Sequence, residues 1–511
     1  MVIKNKIIRD TILLTVMQLF LDTAALGLNV FITRSLGASA MGVVALTGSF
    51  LMLAGILSNG NAFLCTSRLI SEELGKPQRN PNKVLINGII LCIILSVTVS
   101  CLLFTFSDTI GTKFFKSSDM SRAVRLMPLT LISGACAACF KGYFNAMRKV
   151  SVTAIADVAE FVIRAASIVI LTTVSGHESD ASVCGIMIGG MIAGNCFSLL
   201  YFLIMFVRFN EKYTGKASIT FRGYVSCAMP IMIGGIITTV LSSTNDALIP
   251  ITLRQYGNST AEALSRFGIF EAIVIPTLFF PSVILCSMSG IIVTESARAS
   301  ASGNTARIKS IASKLIECTF IYSVFAAAVL IRFGKETGEL LGGGELCGRM
   351  ISIIAPVIPF IYLEIVLEAL IKGMGLQGFS SLNYLAEYAV RISVVLIFVP
   401  RYGFYGIVAS YYASNIIGNC CRLIKVVRHT KVKLSIIKTA ALPIIYAFLT
   451  MGTSELVMRM VTGGIDSTVK MIIFTVLWCA MYLFLFIYLR KDSTTSGGKS
   501  EIFVQAAQTE R

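Results

Sequence analysis

The chain has 511 residues, 55% hydrophobic and 14% charged, with a formal net charge of +17 and a mean hydropathy of +0.80. Soluble domains carry about 25% charged residues, so this composition excludes a soluble globular protein and requires a polytopic membrane protein. The basic excess does not mark a nucleic-acid binder. The basic residues lie in loops between apolar segments, with no compact basic domain, and serve as orientation signals and contacts to anionic lipid.

Apolar segments long enough to span a bilayer, which takes roughly 20 residues, occur at about fourteen places. They begin near Thr11, Val43, Val84, Ala123, Val152, Ser182, Tyr224, Phe267, Ile311, Met350, Phe379, Phe404, Thr439 and Thr468. The first segment is too long for a cleavable signal peptide and is expected to remain. It carries Gln18, Asp22 and Asn29 at i, i+4 and i+11, one stripe of a helix. An acidic residue in mid-membrane costs about 2.5–3.5 kcal/mol on insertion scales. The stripe therefore either locks helices together or lines a polar path, and the second reading is preferred.

Lys and Arg set the orientation. Lys4, Lys6 and Arg9 precede the first span, and alternate loops carry Lys76, Arg79 and Lys83, then Arg148 and Lys149, then Arg208, Lys212, Lys216 and Arg222. The richest run is Arg422 to Lys438, whereas His177-Glu178-Ser179-Asp180 has no Lys or Arg. One loop, with Lys113, Lys116, Arg122 and Arg125, runs against the pattern. Both termini are expected in the cytoplasm, and residues 491–511 as a disordered cytoplasmic tail.

Several spans carry polar positions. In the second, Ser58, Asn61, Cys65 and Arg68 follow helical spacing, with Arg68 read either as a snorkelling interfacial residue or as part of the site. In the seventh, Thr239, Ser243 and Asp246 share a face. In the eighth, Gly268 and Glu271 precede Pro276 and Pro281, which should break the helix and free carbonyls toward a cavity. The tenth has Pro356 and Pro359, with Glu364 and Glu368 on one face.

Half a chain apart, an internal repeat appears. The spacing from Pro128 to Lys141-Gly142 equals that from Pro359 to Lys372-Gly373. Each is followed by Ala-Glu-aromatic-x-x-Arg, at Ala159 to Arg164 and Ala386 to Arg391, and then by Gly185-Ile186 and Gly406-Ile407. Spans four to six thus match ten to twelve, an even offset that implies a parallel repeat with a site between the two bundles. The expected division is a six-helix bundle over 1–222, a second over 223–434, a helix pair over 435–490, and the tail. Glu160–Arg164 and Glu387–Arg391 are i, i+4 pairs in the favourable order, read as structural clasps.

Enzymatic chemistry is not expected. His177 and His429 fall in loops, and no GxxxxGK[ST] run is present. The 14 cysteines lie mostly in apolar segments as small hydrophobes. Cys136 and Cys139 form a lone CxxC without a second pair or nearby His, so no zinc site is read.

The run Arg34-Ser35-Leu36-Gly37 to Gly42, and Arg68 with Glu72 and Gly75, resemble the opening of polysaccharide flippases. Ala263-Leu264-Ser265-Arg266-Phe267-Gly268 through Pro276, Phe280-Pro281 and Thr294-Glu295 to Gly303-Asn304 resembles the stage V sporulation protein B family. So does Ile371-Lys372-Gly373-Met374-Gly375-Leu376-Gln377 with Asn383, Glu387, Arg391, Pro400-Arg401-Tyr402-Gly403 and Gly406. The resemblance covers most of the chain. It implies the multidrug/oligosaccharidyl-lipid/polysaccharide exporter (MOP) superfamily: two six-helix bundles with alternating access, and fourteen spans in this branch.

The resemblance further implies a flippase in the bacterial cytoplasmic membrane. Its substrate would be an undecaprenyl-pyrophosphate-linked saccharide, lipid II or another cell-wall or spore-cortex precursor, moved from the inner to the outer leaflet. Its partners would be membrane lipids and cell-wall or polysaccharide synthesis proteins. No cofactor is expected, with transport coupled to H+, Na+ or membrane potential. Lipid II flippases carry cavity arginines in the first helix, where this chain has Asp22 and Gly27. A pyrophosphate needs cations to replace its hydration, and Arg34, Arg68, Arg254 and Lys372 are the candidates. Gln18, Asp22, Asn29, Asn61, Asp246, Glu271 and Glu364 are candidate cavity or coupling groups. The competing reading, a cation-coupled multidrug exporter of the same superfamily, would rest on the acids.

Overall fold

A computed structural model describes residues 2–74, 80–114, 120–174, 180–209, 219–301, 303–435, 437–461 and 469–486. The main helices are α1 (Val2–Leu36), α2 (Ala38–Asn59), α3 (Ala62–Leu74), α4 (Pro81–Thr105), α5 (Met120–Ala146), α6 (Val150–Val174), α7 (Asp180–Phe209) and α8 (Phe221–Gln255). They continue as α9 (Thr260–Ile269), α10 (Val283–Ala301), α11 (Thr305–Arg332), α12 (Gly344–Ile354), α13 (Ile358–Gly373), α14 (Gln377–Tyr402), α15 (Phe404–Thr430) and α16 (Leu442–Val461), with a final span, α17, at Val469–Phe486. No strand occurs among the described residues. The fold is an all-α polytopic membrane protein. The loop at His177–Asp180 and the tail from 491 fall outside the described residues, apart from the backbone of Asp180.

Twelve candidate spans are long and apolar enough to cross a membrane among the described residues. The expected fifth and twelfth spans, α6 and α15, form helices of 25 and 27 residues but are not among the twelve. Asp157, Glu160 and Arg164 crowd the middle of α6, and α15 is rich in Tyr, Ser and Asn before its basic end.

Three predicted spans are interrupted. Gly60 and Asn61 both adopt left-handed backbone, with φ of 53° and 59°, which ends α2 and restarts the chain as α3. Ser58 and Arg68 therefore do not share one continuous stripe, a correction to the spacing argument. The eighth span breaks where its prolines predict. After α9, a π-helical segment covers Phe270–Val274, one α-turn covers Ile275–Phe279, and a 3-10 turn covers Phe280–Ser282. Proline lacks the donor that would continue the ladder. A 3-10 turn at Ala355–Val357 likewise separates α12 from α13.

The chain forms two compact units. The first comprises Met1–Ser287, Leu341–Gly343 and Gly378–Gly418; the second comprises Met288–Leu340, Gly344–Gln377 and Asn419–Arg511. These units follow packing, whereas the division at 222–223 and 434–435 follows the sequence repeat, and their edges differ.

Within a membrane the packing of small residues and close backbone approach take over from water exclusion. In the first unit, a Cβ on Gly142 of α5 would meet the Phe63 carbonyl oxygen of α3 at 2.7 Å. In the second, a Cβ on Gly373 of α13 would meet the Val293 carbonyl oxygen of α10 at 2.6 Å. Each copy of the Lys-Gly motif thus lets its helix press on the backbone of a partner two spans earlier. Also in the first unit, Gly42 of α2 lies against the Leu264 carbonyl and Gly268 of α9, leaving no room for a Cβ on either glycine. In the second unit, α17 is fastened by Trp478, whose indole N–H donates to the Ala447 carbonyl at 3.1 Å and Thr450 Oγ1 at 3.0 Å. Tyr482 donates to the Ile321 carbonyl of α11 at 2.9 Å.

Candidate functional site

Six of the predicted polar residues, from four separate spans, lie together in the first unit: Asn29, Ser243, Asp246, Glu271, Glu387 and Arg391. Asp246 on α8 is buried. Ser49 of α2 donates its hydroxyl to Asp246 Oδ2 at 2.6 Å, and Asn245 donates to Oδ1 at 3.3 Å. Ser243, one turn earlier, donates to the Ser49 carbonyl at 3.0 Å. The polar face predicted for the seventh span therefore turns onto α2.

Glu271 stands in the π-helical segment. A π-turn offsets its side chain from the face that regular α-helix would give it, and such segments occur often at functional sites. Asn29 of α1 donates to the Ala272 carbonyl at 2.8 Å, taking up one backbone acceptor of that segment. Asp246 and Arg391 lie close enough to Glu271 to interact with it electrostatically. On α14, Arg391 pairs with Glu387 at 3.4 Å and donates to Ser414 Oγ of α15 at 3.0 Å. Its guanidinium centre lies 4.6 Å from the Tyr411 ring and 5.4 Å from that of Tyr388. Phe270 meets Tyr411 edge to face at 5.2 Å between centroids.

The first copy of the Glu-aromatic-x-x-Arg motif is arranged differently. Glu160 and Arg164 are not joined by an ion pair among the described residues, and Arg164 lies 5.6 Å from the Phe161 ring. Opposite them α7 supplies glycines: a Cβ on Gly194 would meet the Glu160 carbonyl at 3.0 Å, and one on Gly190 the Arg164 carbonyl at 3.1 Å. Counted from Gly185 and Gly406, the place of Gly190 is taken in the second copy by Tyr411. The first copy closes up backbone to backbone, and the second opens to admit an aromatic ring and a guanidinium. Sequence reasoning passed over Ser49, Asn245, Tyr411 and Ser414; the loss of glycine at Tyr411 within the repeat was the one available signal.

The second unit holds another charged cluster. Arg422 of α15 has no exposed side-chain area; it pairs with Glu364 at 3.2 Å and Glu368 at 3.5 Å, and donates to Asn419 Oδ1 at 3.1 Å. Lys372 reaches the other oxygen of Glu368 at 3.2 Å. Arg422 was read as the start of a cytoplasmic loop. It is instead a buried helical residue, because two carboxylates one turn apart on α13 neutralise it.

The remaining predicted residues stay apart. Gln18 donates to Asp22 at 2.8 Å, a local contact near the start of the described side chains. Asn61 occupies the break between α2 and α3, its backbone N–H held by Asn59 Oδ1 at 2.8 Å. Arg68 is exposed and paired with Glu72 at 3.0 Å. Arg34 is exposed near the end of α1, against Gly342, and Arg254 is half-buried in the last turn of α8. Lys372 belongs to the second unit, and Arg34, Arg68 and Arg254 belong to the first.

The second unit also contains a cavity of about 430 Å³ between α11, α16, α17 and the turn before α13. Val324, Ala328, Pro356, Phe448, Met451 and Trp478 make it almost wholly apolar, with Arg332 at its margin, paired to Glu455 at 3.3 Å. Among the described residues, no group of three or more His, Cys, Asp and Glu side chains is placed to hold a metal ion.

Broken membrane helices and charges buried within the bundle are features of a multi-pass membrane protein with a polar interior. The family model described as "Polysaccharide biosynthesis protein" matches residues 7–290, more than half of the chain, and the chain belongs to that family. It is 20% identical over 387 residues to "Stage V sporulation protein B" of Bacillus subtilis (strain 168), covering 73% of this chain and 74% of that one. Its fold is similar to that of a solved structure of "Lipid II flippase MurJ, inward closed conformation", with a TM-score of 0.70 at 12% identity, over 94% of this chain and 100% of that one. It is also similar to an inward-facing "multidrug resistance MATE family transporter of the MOP superfamily", with a TM-score of 0.61 at 14% identity, over 81% and 96%. The fold is that of the MOP transporters.

Proposed function

We propose that this chain is an alternating-access flippase for an undecaprenyl-pyrophosphate-linked saccharide, lipid II or another peptidoglycan or spore-cortex precursor, moved from the inner to the outer leaflet of the bacterial cytoplasmic membrane. The bundles over 1–222 and 223–434 are its moving parts. The observation that carries this reading is the apolar cavity of about 430 Å³ built against α16 and α17. That helix pair lies outside the repeat, and a groove of this composition suits a polyprenyl tail, which a soluble drug lacks. Arg34, Arg68, Arg254 and Lys372 are the proposed pyrophosphate contacts. Membership in a polysaccharide biosynthesis family and similarity to a lipid II flippase support the reading.

The second reading is a cation-coupled multidrug exporter. The buried Asp246 and the similarity to MATE transporters favour it. Purified protein in liposomes, given a fluorescent undecaprenyl-pyrophosphate saccharide and, separately, a cationic dye, decides between them. Narrowing the cavity with Ala328→Trp is expected to slow saccharide flipping at least tenfold. Dye export that survives this change, in a protein that flips no saccharide before it, rejects the flippase.

A further inference from the structure

The first unit gathers thiols at a helix break. Cys65 on α3, Cys92 on α4 and Cys139 on α5 are buried, with 1%, 2% and 0% exposure. The sulfur of Cys92 lies 3.3 Å from that of Cys139, and Cys65 and Cys136 are near enough to interact electrostatically with Cys92. A free cysteine in an apolar helix ordinarily packs as a small hydrophobe. Here three helices bring their thiols to one place, and two of those thiols donate to backbone.

Both acceptors belong to the break between α2 and α3. Gly60 and Asn61 turn left-handed there, and a helix that ends inside a bundle must find partners for its last carbonyls. Cys92 donates its S–H to the Asn59 carbonyl at 3.6 Å, and Cys65 donates to the Gly60 carbonyl at 3.8 Å. A thiol is a weak donor, so it holds these carbonyls more loosely than an amide or a hydroxyl would. The Cys92 sulfur thus has two neighbours, a carbonyl of the break and a second thiol.

We propose that Cys92 and Cys139 form an oxidisable dithiol, a modification site for a small uncharged peroxide, and that joining them takes the thiol donor from the break and ties α4 to α5. Hydrogen peroxide balances the step. One sulfur attacks a peroxide oxygen, the O–O bond breaks, and a sulfenic acid and water form. The second thiol displaces that hydroxyl as water, and the S–S bond closes. Two sulfurs give up two electrons and the peroxide takes them, so two thiols and one peroxide yield one disulfide and two waters. Buried cysteines react slowly, and the reaction belongs to the moments when the loosely held break opens. The disulfide links positions 47 residues apart and leaves the Asn59 carbonyl without its S–H donor. Only the consequence, an arrest of transport, rests on the transport reading above; the dithiol chemistry stands apart from it.

The test treats the full-length protein in liposomes with hydrogen peroxide, blocks the remaining thiols with a maleimide, and maps the peptides by mass spectrometry. A linked Cys92–Cys139 peptide pair, separated by dithiothreitol, is expected in the wild type and in Cys101→Ser, which removes an exposed thiol. The pair is lost in Cys92→Ser, or in Cys92→Ala should that variant fail to fold, and in Cys139→Ala. Amide hydrogen exchange over residues 60–66 should quicken when the wild type is oxidised and stay unchanged in Cys139→Ala. Flipping should fall on the order of tenfold on oxidation and recover on reduction, because the tied helices gate the cycle. Absence of the linked pair at a peroxide dose that has oxidised the exposed Met52 overturns the proposal. So does a link from Cys139 to Cys65 or from Cys92 to Cys136 in its place, or a Cys92–Cys139 link that leaves exchange at the break unchanged. The link and the exchange are read without saccharide, so a protein that forms the link and flips nothing rejects the transport reading and keeps this site.

Discussion

Arg422 and Arg391 are both helical arginines set in helix bundles, and the structure gives them different surroundings. Arg422 has no solvent-exposed side-chain area and two acid partners. Removing one member of a buried pair leaves an uncompensated charge and costs about 3–5 kcal/mol. Arg422→Ala should therefore lower the yield of folded protein sharply, as read by monodispersity in detergent and thermal unfolding, and the added change Glu368→Gln should restore part of it. Arg391 is held by one acid, one hydroxyl and two rings. Arg391→Lys keeps the charge but loses the planar stacking and the forked hydrogen bonds. Folded protein should remain near wild-type abundance, while flipping in liposomes falls at least tenfold. A large loss of abundance in Arg391→Lys would make this residue a clasp alone, as its spacing to Glu387 suggested.

At the scale of the helix, two glycine contacts and one broken span organise the path of the chain. Gly42 of α2 and the Leu264–Gly268 stretch of α9 approach until no Cβ fits. Overpacking typically costs about 1–3 kcal/mol, and here the neighbour is backbone, which cannot rotate away. Gly42→Val should destabilise by at least that amount in thermal unfolding, whereas Gly48→Val on the same helix, where a Cβ meets nothing within 4 Å, should be close to neutral. The break after α9 depends on Pro276 and Pro281. Pro281→Ala would restore a backbone donor and allow regular helix to extend through the 3-10 turn. Hydrogen exchange over residues 277–285 should slow in that variant if the turn is proline-imposed.

For the whole molecule, the orientation inferred from Lys and Arg remains a proposal to be tested by labelling. In a background without native cysteines, a cysteine at Glu178 should react with an impermeant thiol reagent added to intact cells, and one at Lys431 should not. Labelling of Lys431→Cys from outside would reverse the orientation and with it the direction of transport.

The amino-acid sequence alone determined the class of protein, the approximate positions of most helices, and the break at Pro276 and Pro281. Each depends on local physics: hydrophobic length, the missing donor of proline, and spacing along one helix. It also picked out Asn29, Asp246, Glu271, Glu387 and Arg391, since a polar residue within an apolar segment is conspicuous wherever it falls. Which of these meet was not legible there. Asp22 bonds locally to Gln18, while Asn29 on the same stripe reaches the π segment. Arg422 read as a loop cation because its partners, Glu364 and Glu368, lie on another helix more than fifty residues earlier. The tertiary structure decided these pairings, because the free energy of a buried charge is set by what packs across from it, and that partner is remote in sequence.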